Sequence, residues 1–415
     1  MNTLPSATFT TPGPFPGPGV ACPQEAADRV SAVFRMTNPV RHYEWGSRTA
    51  VSDLFGWVPS ASPQAEIWMG SHPTDPSHLE TGEALTDVPF MVKVLSVDTP
   101  LSIQAHPALE QAQSGFAAEQ AAQIPPNAPE RSYRDPQHKP ELVFALTEFA
   151  ALSGFDDSDA VAGRLTQAQR LIAEGDLAIA VEGLSLEILR GDYGAAVRMA
   201  LEDRTGLLSV AAEELAMRAT SVLEPALADT LSRITSHFPG DPSIFVALML
   251  HRVDLAPGQA MYVAPGTLHT YLHGVAVEVQ TCSDNVLRGG LTSKRVDVSG
   301  LLKILNASPT DPQLLEPLVL APGADRYVTE AEEFQLTHID FPAVGPQYRT
   351  DNAGPMIVLC TSGSVRAGTA VLCPGDSVYI PVGSTEVFSS EGAQLLIAQP
   401  RDVRARSLGA PKAVG

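Results

Sequence analysis

The stretch PGQAMYVAPGTLH, residues 257–269, recurs at a constant offset as PGDSVYIPVGSTE, residues 374–386, a weak internal repeat. In both copies a Pro-Gly turn is followed four residues on by a tyrosine, Tyr262 or Tyr379, and then by a β-branched residue, Val263 or Ile380. A second glycine turn follows, at Gly266 or Gly383. Each copy reads as a short strand between two tight turns. One reading is two hairpins alike by chance. The other is two jelly-roll barrels built on the same turn–strand unit, and it orders the rest of the chain. In that alignment His269 corresponds to Glu386, so the second copy lacks the imidazole of the first.

Outward from this unit the pattern changes twice. From residue 40 to about 155, short strand-like runs alternate with turn signals: MVKVLSV (residues 91–97), LSIQAH (101–106) and ELVFAL (141–146). Between the last two runs lies a loop with Pro125, Pro126 and Pro129, the composition of a lid or site wall. Residues 156 to about 236 show Asp and Ser cap candidates followed by 3.6-period apolar spacing, which predicts four or five helices. Strand patterns are expected to return from about Phe245. The fold class read from these patterns is mainly β, two jelly-roll barrels with an inserted α-helical subdomain. Residues 36–155 and 240–316 are expected to form the first barrel, 156–239 the helical insert and 317–415 the second barrel. Residues 1–35, rich in Pro and Gly, read as a disordered extension, with Met36 an alternative translation start.

Composition narrows the function classes. The chain has 415 residues and a net charge of −20, spread along its length, which argues against a nucleic-acid partner. No apolar run is long enough for a membrane span, and the N-terminus does not read as a secretory signal, so a cytoplasmic protein is expected. Cys22, Cys282, Cys360 and Cys373 are scattered and form no CxxC pair, so a metal here would need His, carboxylate and amide ligands. An anionic substrate would need a local basic pocket inside this negative field.

Four segments carry candidate chemistry. Period two puts Ser102, Gln104 and His106 on one strand face, an amide oxygen and an imidazole side by side. Pro140 can open a strand that begins with Glu141. In APGTLHTYLHG, His269, Tyr271 and His273 follow at period two after a turn. In VEVQTCSDNVLRGGLTSK, Glu278 sits in a strand, and a Gly-rich turn carries Arg288 and Lys294, a plausible phosphate grip. Taken alone, each segment also reads as a solvent-facing strand or loop.

Taken together and in order, QAHP, YRDPQHKPE, HTYL and SDNVLRGGLTSK resemble the type I phosphomannose isomerase family, as do NPVRHYEWGSR and AEIWMGSHP near the start. The resemblance spans residues 38 to about 300. It implies a cupin-type pair of barrels with a helical insert and one zinc per chain. By resemblance the zinc ligands fall on Gln104, His106, Glu141 and His269, and the active-site arginine on Arg288. Lys93, Ser102, Lys139, Glu278 and Lys294 match other pocket positions, and Tyr271 is expected to face the substrate beside His269. The chain departs from the family in Ser293 for Pro, Gly289 for Ala, and Val279-Gln280-Thr281 for Cys-Met-Ala.

The resemblance implies interconversion of mannose 6-phosphate and fructose 6-phosphate through a cis-enediol(ate), on the way to GDP-mannose. Two neutral imidazoles, an amide and a carboxylate leave a zinc site with net charge of about +1, which stays electrophilic. Glu278 is the first candidate base and Lys139 the second; Arg288 would stabilise developing charge or bind phosphate. A non-catalytic sugar sensor and an isomerase for another hexose phosphate are the rival readings. The protein is expected to be a monomer. The second barrel, with no His after His338, is expected to hold no metal, with Cys360 and Cys373 packed in its core.

Overall fold

A computed structural model describes residues 9–10, 33–172, 175–218, 224–341, 347–351, 354–390 and 392–401. Its strands form sheets of eleven, eight and five strands. The eleven-stranded sheet runs in the spatial order Gln313–Leu315, Ala260–Val263, Glu141–Ala145, His269–Thr281, Phe90–Val97, Glu66–Gly70 and Val40–Arg41, with four shorter-range partners beside this path. Among the described strands no hydrogen-bonded path closes on itself.

The strand His269–Thr281 organises this sheet. Its last eight residues lie between Phe90–Val97 and Glu141–Ala145, while His269 and its neighbours pair with Phe149–Phe155 and Gln104. The pairing shifts register between Tyr271 and His273, and Gly274 follows at φ +115°. A Cβ on Gly274 would lie 2.4 Å from the carbonyl oxygen of Glu148, so only glycine lets the strand bend here.

Alternation along the strands decides what each face meets. Val92, Val94, Leu142, Phe144, Val277 and Val279 pack in one core with Tyr327, Phe334, Leu336, Ile357, Leu359 and Leu396. The residues between them, Lys93, Glu141 and Glu278, belong to the other face. The eight-stranded sheet therefore backs the sheet that carries the polar residues. Tyr327 ties the two by donating from its hydroxyl to the Gly258 carbonyl at 2.6 Å.

The repeated unit keeps its backbone. Gly258 and Gly375 have φ of +89° and +87°, and Gly266 and Gly383 have +82° and +83°. The strands Ala260–Val263 and Ser377–Ile380 fall at matching positions of the two copies.

The segment predicted helical contains Ser158–Gln169, Asp176–Leu189, Tyr193–Glu202, Leu207–Arg218 and Pro225–His237. Asp157 caps the first by accepting from the amides of Asp159 and Ala160, and Pro225 opens the last. Their apolar sides share a core with Ile103, Ala105, Leu268 and Leu287, which places the helices against the first sheet.

Several expectations need correction. The apolar run near Phe245 is a short helix, Ile244–Ala247, and strand resumes only at Leu250–Leu255; a buried run of this length has no period to distinguish the two. Leu109–Ala121 is a helix where only a loop was expected. Phe34–Thr37 forms a strand against Ser377–Ile380, so the ordered chain starts before Met36 and joins the sheet of the second half. A chain begun at Met36 would lack Phe34 and Arg35. Phe9–Thr10 pairs with Gln347–Asp351, and the rest of 1–32, with Cys22, lies outside the described residues. Cys360 is buried as expected, but Cys373 is exposed in the turn before Gly375, where its amide donates to Asp376.

Candidate metal centre and active site

One row of cross-strand neighbours sets the site. Ser153, His269, Gln104 and Arg288 stand opposite one another on four adjacent strands, so their side chains share a face. A second row, Trp68, Lys93, Glu278 and Val143, crosses the other half of the long strand, with Glu141 opposite Gln280 beside it.

His106, Glu141 and His269 converge from three segments, their donor atoms all within 4.8 Å of one another and all three residues buried. Glu141 Oε1 is 3.2 Å from His106 Nε2, and Oε2 is 3.2 Å from His269 Nε2. The other ring nitrogens fix the tautomers. His106 Nδ1 is 2.7 Å from the Asn285 carbonyl, and His269 Nδ1 is 3.0 Å from the Thr267 carbonyl. A carbonyl only accepts, so Nδ1 carries the proton and Nε2 presents a lone pair. Both Nε2 atoms are buried without a hydrogen-bond partner, and the Glu141 carboxylate that faces them has the Lys139 ammonium 2.9 Å from Oε1. Lone pairs facing lone pairs are what a cation relieves, and two imidazoles with a carboxylate suit zinc. Among the described residues this is the only such cluster of His, Cys, Asp and Glu.

The electrostatics agree. Burial, reinforced by the Lys139 ammonium, lowers the His106 pKa to about 4, so its imidazole is neutral at physiological pH. Burial pushes the Glu141 carboxyl up, but Lys139 and the imidazoles overcome it and hold the group well below the usual carboxylate range. Lys139 Nζ lies 2.9 Å from Glu141 Oε1. Tyr271 donates from its hydroxyl to Glu278 Oε1 at 3.1 Å and to Glu141 Oε2 at 3.3 Å, which links the metal ligand to Glu278. Burial and the nearby Glu141 charge raise the Glu278 pKa, against Lys93 and Lys139. Lys93 donates to Glu278 Oε2 at 3.2 Å.

The chain has counterparts among known proteins. The profile described as "Phosphomannose isomerase type I, catalytic domain" matches residues 33–88 and 80–158. The mannose-6-phosphate isomerase of Salmonella typhimurium is 33% identical over 400 residues, covering 87% of this chain and 98% of its own length. The Escherichia coli enzyme is 32% identical over 386 residues, covering 85% and 96%. The chain belongs to the type I phosphomannose isomerase family. A crystal structure of a mannose 6-phosphate isomerase bound with zinc and yttrium superposes with a TM-score of 0.81 at 29% identity, covering 89% of this chain and all of that one. The Salmonella typhimurium enzyme bound to fructose 6-phosphate and zinc superposes with a TM-score of 0.80 at the same identity and coverage.

Among the expected pocket residues of this family member, Lys93, Lys139, Tyr271 and Glu278 gather around the metal cluster. Gln104 is half-buried opposite His269, and Ser102 is half-buried two residues before it. His273 does not join them: the register shift after Tyr271 turns it out to solvent. Arg288 is half-buried next to Gln104 and lines a small pocket with Arg131, Ser132, Val286 and Arg295. Burial, together with the Arg134 charge, lowers the Arg288 pKa; burial, Arg288 and Arg134 lower that of exposed Lys294. Arg288, Lys294 and Arg134 thus lie close enough to repel one another, in a chain that is acidic overall.

Sequence reasoning missed Arg134, the third of these cations, although it stands in the quoted YRDPQHKPE. It also missed how the loop is built. Asn285, fully buried, accepts from the Arg134 amide at 2.7 Å and donates to the carbonyls of Asp135 and Gln137 at 2.7 and 2.8 Å. Asp135 in turn accepts from Ser283 and from the Asp284 amide, both at 2.9 Å. The two motifs therefore lock together, and the Asn285 carbonyl that orients His106 is part of the lock.

Proposed function

We infer that the chain interconverts mannose 6-phosphate and fructose 6-phosphate, with one zinc ion as cofactor. The observation that carries this is the buried group of His106, Glu141 and His269, whose facing lone pairs call for a cation, in a chain similar over most of its length to mannose-6-phosphate isomerases. When bound, zinc supplies a Lewis acid that polarises the sugar's carbonyl region.

The roles of individual residues are proposals. Gln104, His106, Glu141 and His269 hold the zinc; the fit of Gln104 rests on its place opposite His269. Glu278 is the base that moves a proton between C2 and C1 through a cis-enediol, since burial and the nearby Glu141 charge raise its pKa and make it a stronger base than an ordinary carboxylate. Tyr271 and Lys93 hold its two oxygens in position. Lys139, the second candidate base, lies against Glu141 and so serves better to balance charge there. Arg288, Lys294 and Arg134 meet the phosphate, and Ser102 contributes to the substrate-facing wall.

At the level of architecture, the repeat and its paired glycine angles support two cupin-type jelly-roll halves. The first half comprises about 36–155 and 240–316, the helical insert 156–239 and the second half 317 onward, whose strand Ser377–Ile380 is joined by Phe34–Thr37. That half backs the catalytic sheet and holds no metal. No helix among the described residues is long and apolar enough to cross a membrane. A cytoplasmic monomer with a hexose phosphate as its small-molecule partner, serving GDP-mannose formation and binding neither nucleic acid nor membrane, fits the acidic composition. A coupled assay on mannose 6-phosphate, with other hexose phosphates in competition, tests the activity and its specificity; no turnover of mannose 6-phosphate by the zinc-loaded protein would overturn the reading.

A further inference from the structure

Gln280 stands where the family commonly has an apolar methionine, in the run Val279-Gln280-Thr281. It is 2% exposed and faces the site, directly opposite Glu141 on the neighbouring strand. Both ends of its amide are used. Oε1 accepts from Lys93 Nζ at 2.7 Å, and Nε2 donates to the Thr281 carbonyl at 3.1 Å. The orientation is forced by chemistry: an ammonium only donates and a carbonyl only accepts, so the flipped amide would set donor against donor and acceptor against acceptor. The neighbouring departure is used as well, since the Thr281 hydroxyl donates to the His138 carbonyl. A methionine and an alanine could make neither bond.

We propose that Gln280 is a positioning residue for the isomerisation, acting through Lys93 on Glu278. The inference rests on the reading of Glu278 as the base. Lys93 is a flexible four-carbon stem whose charged end needs acceptors to hold it. Its ammonium has two in this site, Glu278 Oε2 at 3.2 Å and Gln280 Oε1 at 2.7 Å, and the ring of Trp68 lies 5.5 Å away. The shorter bond goes to Gln280. With the amide in place the ammonium is held from two sides and in turn fixes one oxygen of Glu278, while Tyr271 fixes the other. Without it, Lys93 is tied only to the carboxylate it is meant to position. A neutral amide does this without adding a third carboxylate beside Glu141 and Glu278, where burial and the Glu141 charge already raise the Glu278 pKa.

The test is a double-mutant cycle on the zinc-loaded full chain, with kcat and KM for mannose 6-phosphate measured in the parent, Gln280→Met, Lys93→Met and the double variant. Methionine is close in volume and is the residue the family tolerates there, so the fold should be kept. The expected result is a loss of roughly tenfold in kcat for Gln280→Met, the scale of one hydrogen bond to a charged group, with KM nearly unchanged and zinc content intact. In the Lys93→Met background the same substitution should cost nothing further. An equal loss in both backgrounds, a change confined to KM, or no change overturns the inference. Should Gln280→Met fail to fold or hold zinc, Gln280→Leu is held to the same outcomes, and failure of both assigns the side chain to holding the sheet and overturns the inference too. An inactive parent would count against the isomerase reading itself, not against the coupling of Gln280 to Lys93.

Discussion

His106 Nε2 lies 3.2 Å from Glu141 Oε1, two buried acceptors with no hydrogen between them. Lys139 Nζ reaches Glu141 Oε1 at 2.9 Å, but neither imidazole Nε2 has a donor, and an unsatisfied buried polar atom costs about 1–3 kcal/mol, so a cation held among the three groups relieves the contact. Elemental analysis should therefore find one zinc per chain, and stripping it with a chelator should lower Tm by several degrees, with zinc restoring it. His269→Ala should neither retain zinc nor respond to it. A His269→Ala protein with a full complement of zinc would contradict the ligand assignment.

Acid should weaken the metal-free protein in a defined window. The His106 pKa falls from 6.5 to about 4 on folding, so between these values the unfolded chain binds a proton that the folded chain refuses. Stability should decline as pH falls from 6.5 towards 4 and this contribution should level off below. Chemical denaturation of the apoprotein across this range checks it. His106→Gln, which cannot titrate, should show a shallower decline, and an unchanged slope would count against the assignment of that loss to His106.

Removing the rim cations should separate binding from turnover. Arg288→Ala is expected to lower kcat by ~10²-fold or more, because a half-buried guanidinium next to Gln104 can act on developing charge. Lys294→Ala and Arg134→Ala, at exposed positions, should mainly raise KM, and added salt should blunt the difference. Parent-like kinetics in all three variants would place the phosphate elsewhere.

The second half should matter for stability alone. Phe334 is fully buried in the core shared by the two sheets, on the face away from Glu141. Phe334→Ala should cost about 3–5 kcal/mol of folding free energy, while the fraction that remains folded keeps the parental kcat. A stable Phe334→Ala protein with a reduced kcat would give this half a direct part in the reaction.

Residues whose neighbours in sequence set their environment were the legible ones. Alternation in ELVFAL placed Glu141 on the face away from Leu142 and Phe144, and the repeat located turns whose glycines share nearly the same φ. Family motifs then pointed to the pocket. What stayed hidden depends on pairing across the chain. The register shift that turns His273 outward, and the close approach of the Glu148 carbonyl that admits only glycine at 274, depend on the pairing with Phe149–Phe155. The bond from His106 to the Asn285 carbonyl links two loops far apart in sequence. Leu109–Ala121 went unread because the helix buries only Ala112 and so carries no apolar stripe. Gln280 was visible as a departure from the family, yet nothing local indicates that it meets Lys93.

Whether His106, Glu141 and His269 make this chain a zinc-dependent isomerase is read by following conversion of mannose 6-phosphate to fructose 6-phosphate before and after the metal is removed. The zinc-loaded chain should turn over, the chelated chain should not, and one equivalent of zinc should restore activity, with Glu141→Gln inactive throughout. Undiminished turnover by chain shown to be free of metal would contradict this.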